Sequence, residues 1–270
     1  MKRYTIFQAP IMAFFSPSFY RDVGLNWKGT GFTYLFLLLA ICWVPGSILF
    51  HLHFANLIET KTPAIIPQIP QIKIINGEAS VEVIQPFKII NPESGTVLAL
   101  IDTTGKTVSL EGTEARVLLT RTELRYRKND GTTTGFDFKW VEEFTLDQQR
   151  VSGWLRVLRD YGGVFAFVFK LIASFAFRIV QLLIYAAIGL LFAKWCKTSQ
   201  SYQTLLRLSG MAITPVIIAN TIVKIADITI PLEWVLYFIA AMAYLFLGVK
   251  AVSHKKNAQD REVDSRPVHS

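Results

Sequence analysis

The chain has 270 residues, of which 51% are hydrophobic and only 18% charged, with a formal net charge of +8. Soluble domains carry about 25% charged residues, so this composition, with long runs that hold no charge, argues against a soluble enzyme. It predicts an α-helical integral membrane protein.

Residues 1–28 are rich in aromatic side chains and poor in charge, a pattern typical of a segment that lies at a bilayer surface. Pro10 and Pro17 divide the segment, so a single long helix is not expected. We predict a cytoplasmic interfacial segment, with a helix that binds a soluble partner as the alternative.

The first transmembrane helix is predicted over residues 29–54, because no charged residue lies between Lys28 and Glu59. Its apolar run begins near residue 30 and is too long for a secretory signal, which favours a retained anchor. Pro45 and Gly46 are expected to bend or end this helix.

Residues 55–70 contain three prolines and predict an extended stalk. Residues 71–160 predict a small, mostly antiparallel β domain of six or seven short strands, followed by a helical lead-in. Turn residues suggest hairpins at Asn76-Gly77, at Thr103–Gly105 and at Asp130-Gly131.

Three further membrane segments follow the β domain. Residues 161–195 are longer than a bilayer core requires and form either one helix or an interfacial helix plus a span. Pro215 is expected to kink the third span. The predicted segments are transmembrane helix 2 at 161–195, a cytoplasmic loop at 196–204, transmembrane helix 3 at 205–224, transmembrane helix 4 at 230–250 and a basic cytoplasmic tail at 251–270.

The distribution of charge predicts the orientation. Basic residues are concentrated in the N-terminal segment, in the stretch from Lys194 to Arg207 and in the C-terminal tail, whereas residues 59–160 hold 13 basic and 14 acidic residues. With four spans, the basic flanks share one side, so both termini are predicted to be cytoplasmic. Orientation and anionic lipid explain the positive charge better than nucleic-acid binding does.

Polar residues recur on one face of the second predicted span, at spacings of 4, 4, 3 and 4, within an arc of about 80°. They are Lys170, Ser174, Arg178, Gln181 and Tyr185. This polar stripe either holds helices together or lines a polar cavity or ligand path.

Arg178 is predicted to form an ion pair with an acidic residue at the same depth. Glu233 is the preferred partner and Asp227 the second choice. Asn220 and Thr221 add polar groups at that level.

No residue set suggests catalysis, a metal site or a cofactor. The Asp102-Thr103-Thr104-Gly105 sequence superficially resembles an aspartic-protease loop, but an extra Thr interrupts the motif and no second copy exists. We interpret it as a turn. His51-x-His53 lacks further ligands, and Cys42 and Cys196 are expected to be reduced thiols.

The layout resembles the bacterial membrane proteins catalogued as domain of unknown function 1189, some of which carry the description maltodextrin-utilisation proteins. The resemblance rests on FFSPSFYRDV at Phe14 to Val23, on the segment Ile69 to Ile89, on IDTTGKT at Ile101 to Thr107 and on the three C-terminal spans. It implies a bacterial cytoplasmic membrane and offers no catalytic residues.

These patterns predict a non-enzymatic four-span protein of the bacterial inner membrane with a β domain outside. Our first hypothesis is an envelope protein whose β domain binds a protein or saccharide partner. The alternative is a small transporter, or a transporter subunit, that uses the polar stripe. The lipid bilayer is the other expected partner, and nucleic acid is not.

Overall fold

The computed structural model describes residues 2–264, with side chains described as far as Ser253. The chain divides into two compact units, and each is described separately. The helical unit comprises Met1–Leu49 and Val164–Ser270, and the β unit comprises Phe50–Gly163.

The seven α-helices of the described chain include the four predicted membrane segments in the predicted order, with different bounds. They are α1 (Ala9–Phe15), α2 (Pro17–Asn26), α3 (Phe32–Lys61), α4 (Gln148–Trp195), α5 (Tyr202–Ala212), α6 (Thr214–Ile225) and α7 (Glu233–Asp264).

Four helical segments are long and apolar enough to cross a membrane: Phe32–Lys61, Gln148–Trp195, Tyr202–Ile225 and Glu233–Ser253. Ile41, Phe177 and Ile239 are more than half exposed on the helices that carry them. Large apolar side chains on the outside of a helical unit are expected where lipid is the solvent, which supports a membrane protein.

The sequence predicts that Pro45 and Gly46 bend or end the first span; helix α3 continues through both residues to Lys61, so they do not end it. A proline in a helix leaves one carbonyl without its usual donor, which membrane helices tolerate. The extended stalk at 55–70 is wrong in its first half, which is helical. The rest forms turns and one 3-10 turn at Ile66–Gln68.

The question left open for residues 161–195 is resolved in favour of one helix. Helix α4 runs without interruption over 48 residues, about 72 Å at 1.5 Å per residue. That is more than twice the thickness of a hydrocarbon core. Its first turns begin directly after the last β-strand.

The third predicted span is divided at Ile213 into α5 and α6, with Pro215 in the first turn of α6. Proline is favoured there because that position has no intrahelical hydrogen bond to lose. The predicted kink at Pro215 is therefore present as a helix break.

Helix α2 packs inside the helical unit, a contact that the predicted interfacial segment at residues 1–28 did not include. Phe19 and Val23 are fully buried in the same apolar cluster as Leu245 and Val249 of α7. By contrast, α1 exposes Ile11 and Phe15. Helix α7 continues to Asp264 into the predicted tail, and residues 265–270 lie outside the described residues.

The β unit contains eight strands in two sheets, one with the order β2-β1-β8 and one with the order β3-β4-β5-β6-β7. The strands are β1 (Ile72–Ile75), β2 (Glu78–Val81), β3 (Phe87–Ile90), β4 (Val97–Ile101), β5 (Val117–Leu119), β6 (Glu123–Arg127), β7 (Thr133–Asp137) and β8 (Glu143–Leu146). Ile74, Ile101, Leu119 and Phe138 belong to its main core.

Two of the three predicted hairpins are confirmed. Asn76 and Gly77, both with positive φ, join β1 to β2, and the turn at Asp130-Gly131 joins β6 to β7. The hairpin at Thr103–Gly105 is wrong, because β4 pairs in parallel with β5. Strand β8 was missed, since its four residues lie next to a strongly helical sequence.

Candidate functional site

The polar stripe forms a hydrogen-bonded chain along α4. The Arg178 guanidinium donates from Nη1 to Oε1 of Gln181. The Gln181 amide donates in turn to the Tyr185 hydroxyl over 2.6 Å. Tyr185 is buried and its ring lies edge-on to Phe238 at 5.9 Å between centroids, so this end of the stripe packs against other helices.

The other end of the stripe lies beside α3. The Trp43 indole donates to the Ser174 hydroxyl over 2.7 Å. The Lys170 ammonium lies 5.6 Å from the centroid of the Trp43 ring, a cation–π geometry. The stripe therefore serves both purposes that the sequence left open, packing at Tyr185 and a cavity wall at Ser174 and Arg178.

A partly open cavity of about 280 Å³ lies between α3, α4 and α6. We call this space the Arg178 cavity. The polar side chains that line it come from all three helices: Cys42 and Trp43 from α3, Ser174 and Arg178 from α4, and Asn220, Thr221 and Lys224 from α6. Two cationic groups and several neutral donors thus share a small space with apolar walls.

The predicted ion pair between Arg178 and Glu233 is wrong. Glu233 lies 3.8 Å from the Lys224 ammonium, because a short connection joins the end of α6 to the start of α7. Asp227 lies in that connection with φ of 53°. Within the described part of the chain, neither Arg178 nor Asp227 forms an ion pair.

The helix break before Pro215 is fixed by side-chain hydrogen bonds. The Thr214 hydroxyl donates to the carbonyl oxygen of Gly210 over 3.0 Å, and it lies 3.0 Å from the Tyr34 hydroxyl. These bonds hold the start of α6 against α3. The break sets the direction of α6, which carries Asn220, Thr221 and Lys224 to the cavity.

Trp43 and Cys42 were not predicted as site residues. They lie within an uninterrupted apolar run, where a single aromatic or thiol side chain is usually a packing residue. The available signal was the indole N–H of Trp43, which needs an acceptor when it is buried in a membrane helix.

Asp102 lies in a turn of the β unit and is fully buried. Its carboxylate accepts hydrogen bonds from the backbone and hydroxyl of Thr104 and from the backbone N–H of Thr107. Burial opposes ionisation, but these donors outweigh it and hold the pKa of Asp102 below its ordinary value. The carboxylate is therefore a turn-forming group, as the sequence predicts.

The β unit also exposes aromatic side chains. Phe136 lies on the edge strand β7 and pairs with Leu124 of β6. Tyr126 is two residues from Leu124 on the same strand, so Tyr126 and Phe136 lie on one face of the five-stranded sheet. Phe136 is 60% exposed and Trp140, just beyond the strand, is 86% exposed. We call these three residues the aromatic patch.

One family model matches the chain. It is described as "Protein of unknown function (DUF1189)" and it covers residues 7–249. No curated protein and no solved structure matches the chain.

Proposed function

Since this chain belongs to the DUF1189 family of proteins of unknown function, we propose its role from its own geometry. It is a non-enzymatic protein of the bacterial inner membrane that binds a small anionic ligand in the Arg178 cavity, as a small transporter or a transporter subunit. Both termini are cytoplasmic and the β unit is outside.

The position of Arg178 carries this proposal. Its guanidinium lines a cavity in a helical unit and, among the described residues, finds a neutral partner, Gln181, rather than a carboxylate. A cation in a membrane segment is costly unless it is paired or faces water, and such residues mark ligand or ion pathways. An anionic ligand would supply the missing counter-charge.

The remaining lining supports a polar ligand of modest size. The amide of Asn220 can donate to a carboxylate or phosphate beside the guanidinium. The hydroxyls of Ser174 and Thr221 donate to the carbonyl oxygens of Leu171 and Ile217 and contribute polar surface to the wall. Lys224 adds a second cation at the rim, where its ammonium is already shared with Glu233. The cavity volume is close to the lower end of the range for ligand sites.

A second candidate function is recognition by the β unit of an envelope protein or a saccharide outside the membrane. The aromatic patch favours it, because the exposed ring of Phe136 on the edge strand β7 offers apolar area beside the backbone groups of that edge. An edge strand that carries exposed aromatic residues is a site to which another chain can pair.

One experiment separates the two candidates. The full chain in detergent is heated with a panel of small organic anions, inorganic phosphate and neutral oligosaccharides, and the unfolding midpoint is followed. Anions should raise the midpoint of the wild type and of a Tyr126→Ser/Phe136→Ser variant, but not that of Arg178→Gln. If a compound of the panel raises the midpoint of the wild type and of Arg178→Gln but not that of the Tyr126→Ser/Phe136→Ser variant, the second candidate is favoured. If no anion raises the wild-type midpoint, the cavity proposal fails.

A further inference from the structure

A second cavity, of about 450 Å³, lies elsewhere in the helical unit. It is formed by residues 2–6 and by residues 27–34, which lead into α3. Three basic side chains line it, those of Lys2, Arg3 and Lys28, and none of its described lining residues is acidic. We call it the basic cavity. Its residues are separate from those of the Arg178 cavity.

The three basic groups are not neutralised by carboxylates. Within residues 2–253, no ion pair involves any of them. The Lys2 ammonium lies over the Trp27 ring, 5.1 Å from its centroid, and Arg3 lies over Tyr4 at 5.9 Å. These contacts orient the Lys2 and Arg3 cations over aromatic rings.

Asp22 is a carboxylate in this part of the fold, and its oxygens accept hydrogen bonds from uncharged donors. Its oxygens accept from the backbone N–H groups of Arg3 and Tyr4 at 3.1 to 3.2 Å. They also accept from the Asn26 amide at 2.7 Å and the Trp27 indole at 3.0 Å. Asp22 therefore fastens the N-terminal residues beside α2, and it does not line the cavity.

The opposite wall is held in place by Arg207, which is only 8% exposed. Its guanidinium donates to the carbonyl oxygen of Gly29 over 3.0 Å and to that of Gly24 over 3.4 Å. Gly29 and Gly31 have φ of 84° and 83°, a conformation that side chains disfavour. The loop therefore keeps one shape beside the cavity.

The start of α3 adds to the positive potential. Phe32 begins a 30-residue helix and lines the cavity together with Thr33. The first N–H groups of a helix have no intrahelical acceptor and carry the positive end of its dipole. Hydroxyls of Thr5, Thr30 and Thr33 offer further donors around the same space.

We propose that the basic cavity binds a phosphate group, carried either by an anionic phospholipid headgroup or by a soluble phosphate. Three unpaired cations, hydroxyl donors and a helix start converge on a space large enough for such a group. This inference is independent of the function proposed for the Arg178 cavity.

The test uses the full chain in nanodiscs, in two arms. In the first, phosphatidylcholine nanodiscs are titrated with inorganic phosphate. In the second, phosphatidylglycerol replaces part of the phosphatidylcholine. The variant Lys2→Gln/Arg3→Gln/Lys28→Gln is compared with Lys194→Gln/Lys197→Gln/Lys250→Gln, which removes the same charge from exposed lysines that do not line the cavity.

A rise in the unfolding midpoint measures binding. We expect the cavity variant to raise the apparent Kd at least tenfold and the control variant to change it less than twofold. A response to phosphatidylglycerol alone identifies a lipid headgroup as the source, and a response to phosphate alone identifies a soluble ligand. Equal losses in the two variants, or no wild-type response in either arm, would overturn the proposal.

The three cavity cations are exposed, so the variant should fold. If it does not accumulate, Lys28→Gln and Lys28→Arg replace it. Gln should weaken binding and Arg should retain it, because a phosphate site needs the charge at this position. Equal binding by these two variants would contradict the proposal.

Discussion

Trp43 and Ser174 join α3 to α4 through a 2.7 Å hydrogen bond at the wall of the Arg178 cavity. Ser174 Oγ in turn lies 3.3 Å from the carbonyl oxygen of Leu171. This bond is a polar contact between two apolar helices. It fixes the indole beside the cavity that carries the proposed function.

Ser174→Ala should lower the free energy of unfolding by about 1 kcal/mol, because it removes the acceptor of the partly buried Trp43 indole N–H. Unfolding of the full chain in detergent measures the loss. Trp43→Phe supplies the matched control, since it removes the donor. If the Ser174→Ala cost is the same in the wild type and in Trp43→Phe, the bond contributes nothing.

Glu233→Arg should destabilise the protein by less than about 1 kcal/mol, because it replaces the partly exposed ion pair of Glu233 with Lys224 by two neighbouring cations. Adding Lys224→Glu should recover the loss, whereas adding Arg178→Glu should not. Thermal unfolding of the three variants decides the matter. If adding Arg178→Glu recovers the stability instead, the result would support the ion pair between Arg178 and Glu233 that the sequence predicted.

Gly24→Ala should destabilise the helical unit, because the added Cβ would lie 2.4 Å from a methyl carbon of Val252 on α7. Overpacking of this kind costs about 1–3 kcal/mol. Gly210→Ala is the control: its Cβ would meet no atom within 4 Å, and alanine favours a helix over glycine. The two substitutions should shift the unfolding midpoint in opposite directions, and equal shifts would contradict the packing of α2.

Asp102 should make the stability of the β unit depend on acid pH. Its pKa in the folded chain lies below the ordinary value of 3.8, so its contribution is present above about pH 4 and is lost as the pH falls through the folded-state pKa. Asp102→Asn should remove roughly 2 kcal/mol at neutral pH and flatten the acid limb. Asp130→Asn, in an exposed turn with Thr132 as partner, should change that limb much less. Parallel pH profiles for both variants would show that Asp102 has no special role.

Local signals predicted the elements that depend on neighbouring residues. The Asn76-Gly77 pair supports positive φ and joins β1 to β2. The uncharged runs predicted all four apolar segments in order. Pro215 predicted the break in the third segment, whereas Pro45 leaves α3 continuous.

Features that depend on distant residues could not be predicted. The turn at Asp102 has the composition of a hairpin, but the strand that follows it is chosen by parallel pairing with β4. The partner of Glu233 is decided by the length of the α6–α7 connection. The indole of Trp43 indicates that an acceptor is needed, but not that the acceptor is Ser174, which lies 131 residues away.

The central claim is that the Arg178 cavity admits anions, and Cys42 on its wall provides the probe. In a Cys196→Ser background, the reaction rates of Cys42 with an anionic and a cationic methanethiosulfonate are compared, each normalised to glutathione. The account predicts that Cys42 reacts about tenfold faster with the anionic reagent than with the cationic one. Arg178→Gln should reduce this preference at least fivefold. Lys170→Gln is the control, because Lys170 does not line the cavity, and it should leave the preference unchanged. No preference, or a preference that survives Arg178→Gln, would contradict the account.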